Sequence, residues 1–166
     1  MRHRIAIFSN GFNGSITLKA IEGIRKYAAI KDFDTHFYVG FAAYSEDEQY
    51  NIGQFNIYKL ADLEEYDGLI VFSGLLNNTE LARKACLDAK ERGVPVVSIG
   101  MEIEGIPYVG INNRDGMKDL VEHLVTEHNV RNVVYIGGAR GHVDTIERGQ
   151  VVSEVLESHG LKLEEK

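Results

Sequence analysis

Cysteine is nearly missing from this chain of 166 residues, and a single Cys86 excludes an intramolecular disulfide. It lies among Leu81, Ala82, Ala85 and Ala89 on the apolar side of a helical pattern, so it reads as a core residue in a reducing compartment. No apolar run is long enough to cross a bilayer. The opening Ile5-Ala6-Ile7-Phe8 is too short for a signal-peptide core, so a cytoplasmic protein without membrane contact is expected. Basic excess is missing too. The formal net charge is −7, which argues against this stretch holding DNA by itself, because phosphate binding needs a concentrated cationic surface. Acid gathers between residues 41 and 70, where Glu46, Asp47, Glu48, Asp62, Glu64, Glu65 and Asp67 face only Lys59, the pattern of a solvated face.

Cofactor and catalytic motifs are missing as well. Ser9-Asn10-Gly11-Phe12-Asn13-Gly14 follows the first apolar run but is neither a dinucleotide fingerprint nor a Walker loop, so no cofactor is expected. A phospho-receiver would need clustered acids at strand ends to hold Mg²⁺, and Ser9-Asn10 and Ser73-Gly74 stand there instead. Ser9, Ser73 and Ser98 each end a strand-like run, yet none sits in the G-x-S-x-G elbow that exposes a nucleophile. Glu122-His123 and Glu127-His128 do not have the zinc-protease spacing and read as a charged, solvated face, so no metal is expected. Gly137-Gly138-Ala139-Arg140-Gly141-His142 could cradle an anion, but such turns are common without a ligand. Enzymatic activity is not expected.

What is present is alternation. Ile5–Phe8, Thr35–Val39, Leu69–Phe72, Val96–Ile99, Tyr108–Ile111 and Val133–Ile136 are short runs rich in Val, Ile, Phe or Tyr, separated by segments of helical period. Stripes Ile16/Ala20/Ile24/Tyr27, Leu81/Ala82/Ala85/Ala89 and Met117/Leu120/Val121/Leu124/Val125 mark three helices. A fourth opens at Asp144 with Glu147 three residues on, as in a capping box, and carries Val151, Val152, Val155 and Leu156. Residues 41–62 show no clear period and read as loop with one short helix. The expected fold is α/β, a Rossmann-like parallel sheet flanked by helices. The first four runs are expected in one sheet, with Val133–Ile136 in a separate, incomplete lobe.

Arg148 stands apart. It precedes Val151, Val152 and Val155 by three, four and seven residues and so shares their inward face. A cation there needs a partner, either a ligand held by its planar guanidinium or a salt bridge to Asp144 or Glu147, and both readings remain open.

Val94-Pro95-Val96-Val97-Ser98-Ile99-Gly100 and Gly105-Ile106-Pro107-Tyr108-Val109-Gly110-Ile111-Asn112-Asn113-Arg114-Asp115-Gly116 resemble the interlobe signature of LacI/GalR-type transcriptional regulators. Glu122-His123-Leu124, Val133 to Gly138, and His142, Asp144 and Arg148 follow in the order and spacing of the same family. The resemblance implies the periplasmic-binding-protein-like architecture: a first lobe over residues 1–111, the beginning of a second over 112–166, and a small, sugar-like effector bound between the two lobes of such receptors. Carried over by position, Asn10, Phe12, Ser73 and Met101 from the first lobe and His142, Asp144 and Arg148 from the second imply ligand contacts. It also implies a homodimer that touches DNA only through a module this sequence does not contain. Similar sensor domains are joined to diguanylate cyclase or kinase modules, which is the alternative output. Two positions depart from the pattern, Asn112-Asn113 where the family has Asp-Asn and Val151-Val152 where it has Gly-Phe. The chain ends early for a whole second lobe, so the fourth helix is expected to expose Val151, Val152, Val155 and Leu156 and to drive association.

Overall fold

A computed structural model describes residues 2–12, 14–43, 47–138 and 141–163. Asn13, Glu46, Ala139 and Arg140, which figure in the motifs above, lie outside the described residues. The chain divides into two compact units, Met1–Gly110 and Ile111–Lys166, and each is described by itself.

The first unit is a five-stranded, wholly parallel sheet. Its strands are β1 (His3–Asn10), β2 (Phe33–Gly40), β3 (Gly68–Val71), β4 (Val96–Ile99) and β5 (Tyr108–Val109), in the order β2-β1-β3-β4-β5. The first four expected runs are all in it, in register such as Ile7 beside both Phe37 and Ile70. β1 is apolar at every position from Ile5 to Phe8 because both its faces are covered there, as in parallel sheets generally. Ala6 and Phe8 join Leu69, Val71 and the small Ala82, Cys86 and Ala89 of α3 (Thr79–Glu91), whereas Ile5 and Ile7 pack with Ile21 and Ile24 of α1 (Ser15–Lys31). α1 stops at Asp32, whose left-handed φ of 58° lets its N–H return to the Ala28 carbonyl. α3 starts where Asn78 accepts from the Leu81 N–H, and Gly93, with φ of 75°, follows its end. Cys86 is fully buried as expected, and burial pushes its thiol pKa up.

The region without a clear period holds α2 (Glu48–Phe55), capped by Asp47, which accepts from the Tyr50 N–H, and running into a 3-10 turn over Asn56–Leu60. That turn places Tyr58 in the core, where its hydroxyl donates to the Ser9 carbonyl at 2.7 Å and burial pushes its pKa up to about 12. Nearby, the Tyr66 hydroxyl lies 2.7 Å from the Tyr38 hydroxyl and 2.8 Å from His36 Nδ1, and its pKa is also raised, chiefly by burial. Aromatic residues scattered without period along the sequence thus close one side of the sheet.

The loops after β3 and β4 touch backbone to backbone. A Cβ on Gly74 would stand 2.9 Å from the Gly100 carbonyl oxygen and 3.1 Å from its Cα, and Gly100 itself holds a φ of 84°. Gly74→Ala is therefore expected to lower stability by about 1–3 kcal/mol, since main chain cannot swing aside as a side chain can. Urea unfolding is the check, and an unchanged midpoint would show that the loops separate at no cost.

The second unit contains α4 (Asn113–Thr126) and α5 (Val143–Ser158). Three expectations are corrected here. Val133–Ile136 forms no strand among the described residues, because the first sheet does not include it and no other described strand offers its backbone a partner. It keeps the alternation of one: Val133 and Tyr135 pack inward while Val134 and Ile136 are 67% and 90% exposed. Second, the apolar face of α5 is covered. Val151, Val152, Val155 and Leu156 form one core with Val121 and Val125 of α4, supported by Met117, Val133, Tyr135, Leu161 and Leu163. The residues left exposed are instead Leu120, at 52%, and Val143 and Ile146 on the first turn of α5. Third, α5 begins one residue earlier than expected, with His142 as its N-cap and no side-chain capping bond. Asp144 and Glu147 consequently form no capping box, and the Asp144 carboxylate is turned to other partners.

Candidate functional site

In an open parallel sheet, ligands gather outside the carboxyl ends of the strands near the place where strand order reverses, here between β1 and β3. Asn10 is the last residue of β1, and its Nδ2 donates to the Ala42 carbonyl at 2.8 Å. Asn77, left-handed at φ 54°, donates to the same carbonyl at 2.9 Å, so one oxygen ties together the loops after β1, β2 and β3. The Asn10 Oδ1 is buried without a hydrogen-bond partner, an uncommon condition for an amide oxygen. Phe12, 37% exposed, projects from the same loop. Sequence reasoning missed Asn77, although Asn tolerates left-handed backbone better than most residues and its place in a strand-to-helix turn was a usable signal.

Ser73 and Met101 lie deeper in the first unit than Asn10 and Phe12. Both are 5% exposed, and neither faces outward. The Ser73 hydroxyl donates to the Val71 carbonyl and accepts from Ser98 at 2.9 Å, with the Cys86 sulfur 3.9 Å away. The Met101 side chain belongs to the α3-side core, and its carbonyl accepts from the Ser98 hydroxyl. Position after a strand is shared by ligand contacts and by residues that seal the sheet's end, and only packing separates the two.

The second unit brings three of its polar residues together. Asn113, the first residue of α4 and 7% exposed, donates through Nδ2 to Asp144 Oδ1 at 2.9 Å and accepts at Oδ1 from Arg148 Nε at 2.7 Å. Arg148 Nη2 stands 3.8 Å from Asp144 Oδ2, one turn apart on α5. One buried amide therefore fixes a guanidinium and a carboxylate side by side, each still partly exposed, at 39% and 30% of its side chain. His142, half-buried, is the N-cap directly before them, with no side chain satisfying the first N–H groups of α5. Such a set offers N–H donors and a carboxylate acceptor within one small area, which suits a polyhydroxylated neutral ligand whose neighbouring hydroxyls both accept and donate. Neither sequence alternative for Arg148 is complete, because its shortest bond is to Asn113.

Asn113 was not singled out beforehand as a site residue. Its neighbour Asn112 caps α4: Oδ1 accepts from the Asp115 N–H at 3.1 Å and Nδ2 donates to the Asp115 carboxylate at 2.7 Å. An aspartate there could cap but not make the second bond, so this departure from the family pattern falls on helix capping.

An apolar groove lies elsewhere, at the amino ends of the strands, with a volume of about 560 Å³ and walls that include Ile24, Tyr27, Ile70, Val97 and Pro107. Its walls are almost wholly apolar, so it lacks the converging polar groups that fix a ligand's orientation. Among the described residues no group of three or more His, Cys, Asp or Glu side chains gathers to hold a metal, and no helix is long and apolar enough to cross a membrane.

No protein-family model matches the chain, and no curated protein matches it by sequence. Solved structures do. The chain is similar to a sugar-binding transcriptional regulator of the LacI family from Enterococcus faecalis, with 22% identity and a TM-score of 0.70 over 99% of this chain and 55% of that one. It is similar to an ABC-transporter periplasmic solute-binding protein from Actinobacillus succinogenes with bound D-allose, with 16% identity and a TM-score of 0.74 over 98% of this chain and 57% of that one. A dimeric Lac repressor with a C-terminal deletion is also similar, with 14% identity and a TM-score of 0.74 over 96% of this chain and 55% of that one. The fold is thus that of periplasmic-binding-protein-like receptors, and the chain spans about half the length of the structures it matches.

Proposed function

We propose that this chain is the sugar-sensing, effector-binding part of a LacI-type transcriptional regulator, acting as a homodimer and reaching DNA only through another module. The observation that carries the reading is the Asn113-Asp144-Arg148 cluster, in which a buried amide aims a guanidinium and a carboxylate from the start of α5. A fold shared with sugar-binding regulators and transport receptors gives that cluster its context. The proposed effector contacts are Asn10 and Phe12 in the first unit and His142, Asp144 and Arg148 in the second, with Asn113 positioning the last two. Ser73 and Met101 are left out because both are buried. The proposed role is binding and not turnover, since no nucleophile with an adjacent base has been identified among the described residues.

Thermal shift of the full-length protein against pentoses, hexoses, disaccharides and nucleobases tests the reading. A sugar at about 100 times its dissociation constant adds about 2.7 kcal/mol of stability. For a protein of this size or larger that is a rise of several degrees. A flat response to every sugar, together with a clear shift by a nucleobase, would replace the proposed effector class.

A further inference from the structure

We propose that His123 and His128 form a two-histidine site for an imidazole-preferring divalent transition metal, such as Zn²⁺ or Ni²⁺, at the carboxyl end of α4. Five residues of separation would normally place two side chains on different helix faces. Here the helix ends first. The Glu127 N–H closes onto the His123 carbonyl at 3.0 Å, Asn129 turns left-handed at φ 52°, and the Val130 N–H reaches back to the Leu124 carbonyl at 3.0 Å. That turn returns His128 to His123, with ring centroids 4.7 Å apart at 78° and Nε2 atoms 3.0 Å apart.

Both rings are exposed, so an ion can reach them and they can pivot toward it. With a metal–nitrogen bond of about 2.0–2.1 Å, donors 3.0 Å apart subtend close to 90° at a shared ion, the angle of two adjacent coordination positions. Without metal the contact is a hydrogen bond between the two rings, one Nε2 donating and the other accepting. Metal needs a lone pair on both Nε2 atoms, so in the bound form each ring carries its one proton on Nδ1. Local charge favours a cation, because the carboxyl end of a helix carries partial negative charge and Glu122 and Glu127 adjoin the two histidines. Since no third ligand gathers with them among the described residues, water fills the other positions and the ion exchanges. Its effect is to fasten the turn at 127–130 to the end of α4. The proposal is independent of the sugar-binding reading.

The test is titration of metal-free protein with zinc chloride by calorimetry, beside the variants His123→Gln, His128→Gln and His159→Gln. One zinc is expected to bind the wild type. Each of the first two variants is expected to weaken it at least about tenfold, because losing one of only two protein donors exceeds the roughly 10- to 100-fold effect of outer-shell partners at its lower end. His159→Gln should leave the affinity unchanged. Nickel titration followed by NMR of the histidine rings needs no variant, and should broaden His123 and His128 first among the six histidines. No zinc uptake, equal weakening by all three variants, or simultaneous broadening of all six rings would overturn the proposal.

Discussion

Replacing Leu156 by alanine is expected to destabilise the second unit by about 2–5 kcal/mol, the range for truncating a fully buried leucine. Leu156 is 1% exposed and packs among Val121, Val125, Val151, Val152 and Val155. That core is built mainly of valines, whose stiff, short side chains cannot reach in to fill the space left behind. The loss should appear as a lower urea midpoint and as faster hydrogen exchange along Val143–Ser158. Ile146→Ala on the same helix is the control: at 49% exposed it should change stability by no more than about 0.5 kcal/mol. Unchanged exchange in the Leu156 variant would mean that α5 is not held by this face.

Arg148→Ala is expected to cost about 2–4 kcal/mol of effector binding, because a ligand hydroxyl that loses a charged donor is left buried and unpaired. That is roughly a 30- to 700-fold loss of affinity. Stability should fall less, by about 1 kcal/mol. The Arg148–Asp144 pair is partly exposed and spans 3.8 Å, so it contributes little. The larger share comes from Asn113, nearly buried, whose Oδ1 loses its donor at 2.7 Å. Calorimetric affinity of the full-length protein for its effector and the melting temperature without ligand must be measured as a pair. Unchanged affinity with a large drop in melting temperature would make Arg148 a structural residue that joins α5 to the start of α4.

Among the candidate contacts, Arg148 was legible because a cation within an apolar stripe is a local anomaly, and period alone exposes it. Asn113 was not, because an amide near a helix start reads as capping, and its two bonds join residues 31 and 35 positions apart. Nor does a place after a strand reveal burial: Ser73 and Met101 both follow strands, and the Ser98 hydroxyl and the α3-side core hold them inside. The histidine pair was hidden because Glu122-His123 and Glu127-His128 read as a solvated face, and spacing does not show that α4 stops at Thr126 and the chain turns back.

By itself the sequence determined the parallel sheet of the first unit, the positions of α1 and α3, and the absence of nucleotide-binding and nucleophile-elbow motifs. These follow from interactions along the chain: two-sided burial makes β1 apolar at every position from Ile5 to Phe8, and helical period marks one face of each helix. Only the tertiary structure decided what each face meets. Period says that α5 has an apolar side, but not that α4 covers it, nor that Val133–Ile136 keeps a strand's alternation without a strand's partners. Pairing and packing join residues far apart in the chain, where no spacing rule reaches. For the same reason an amide at position 113 can aim an arginine at position 148.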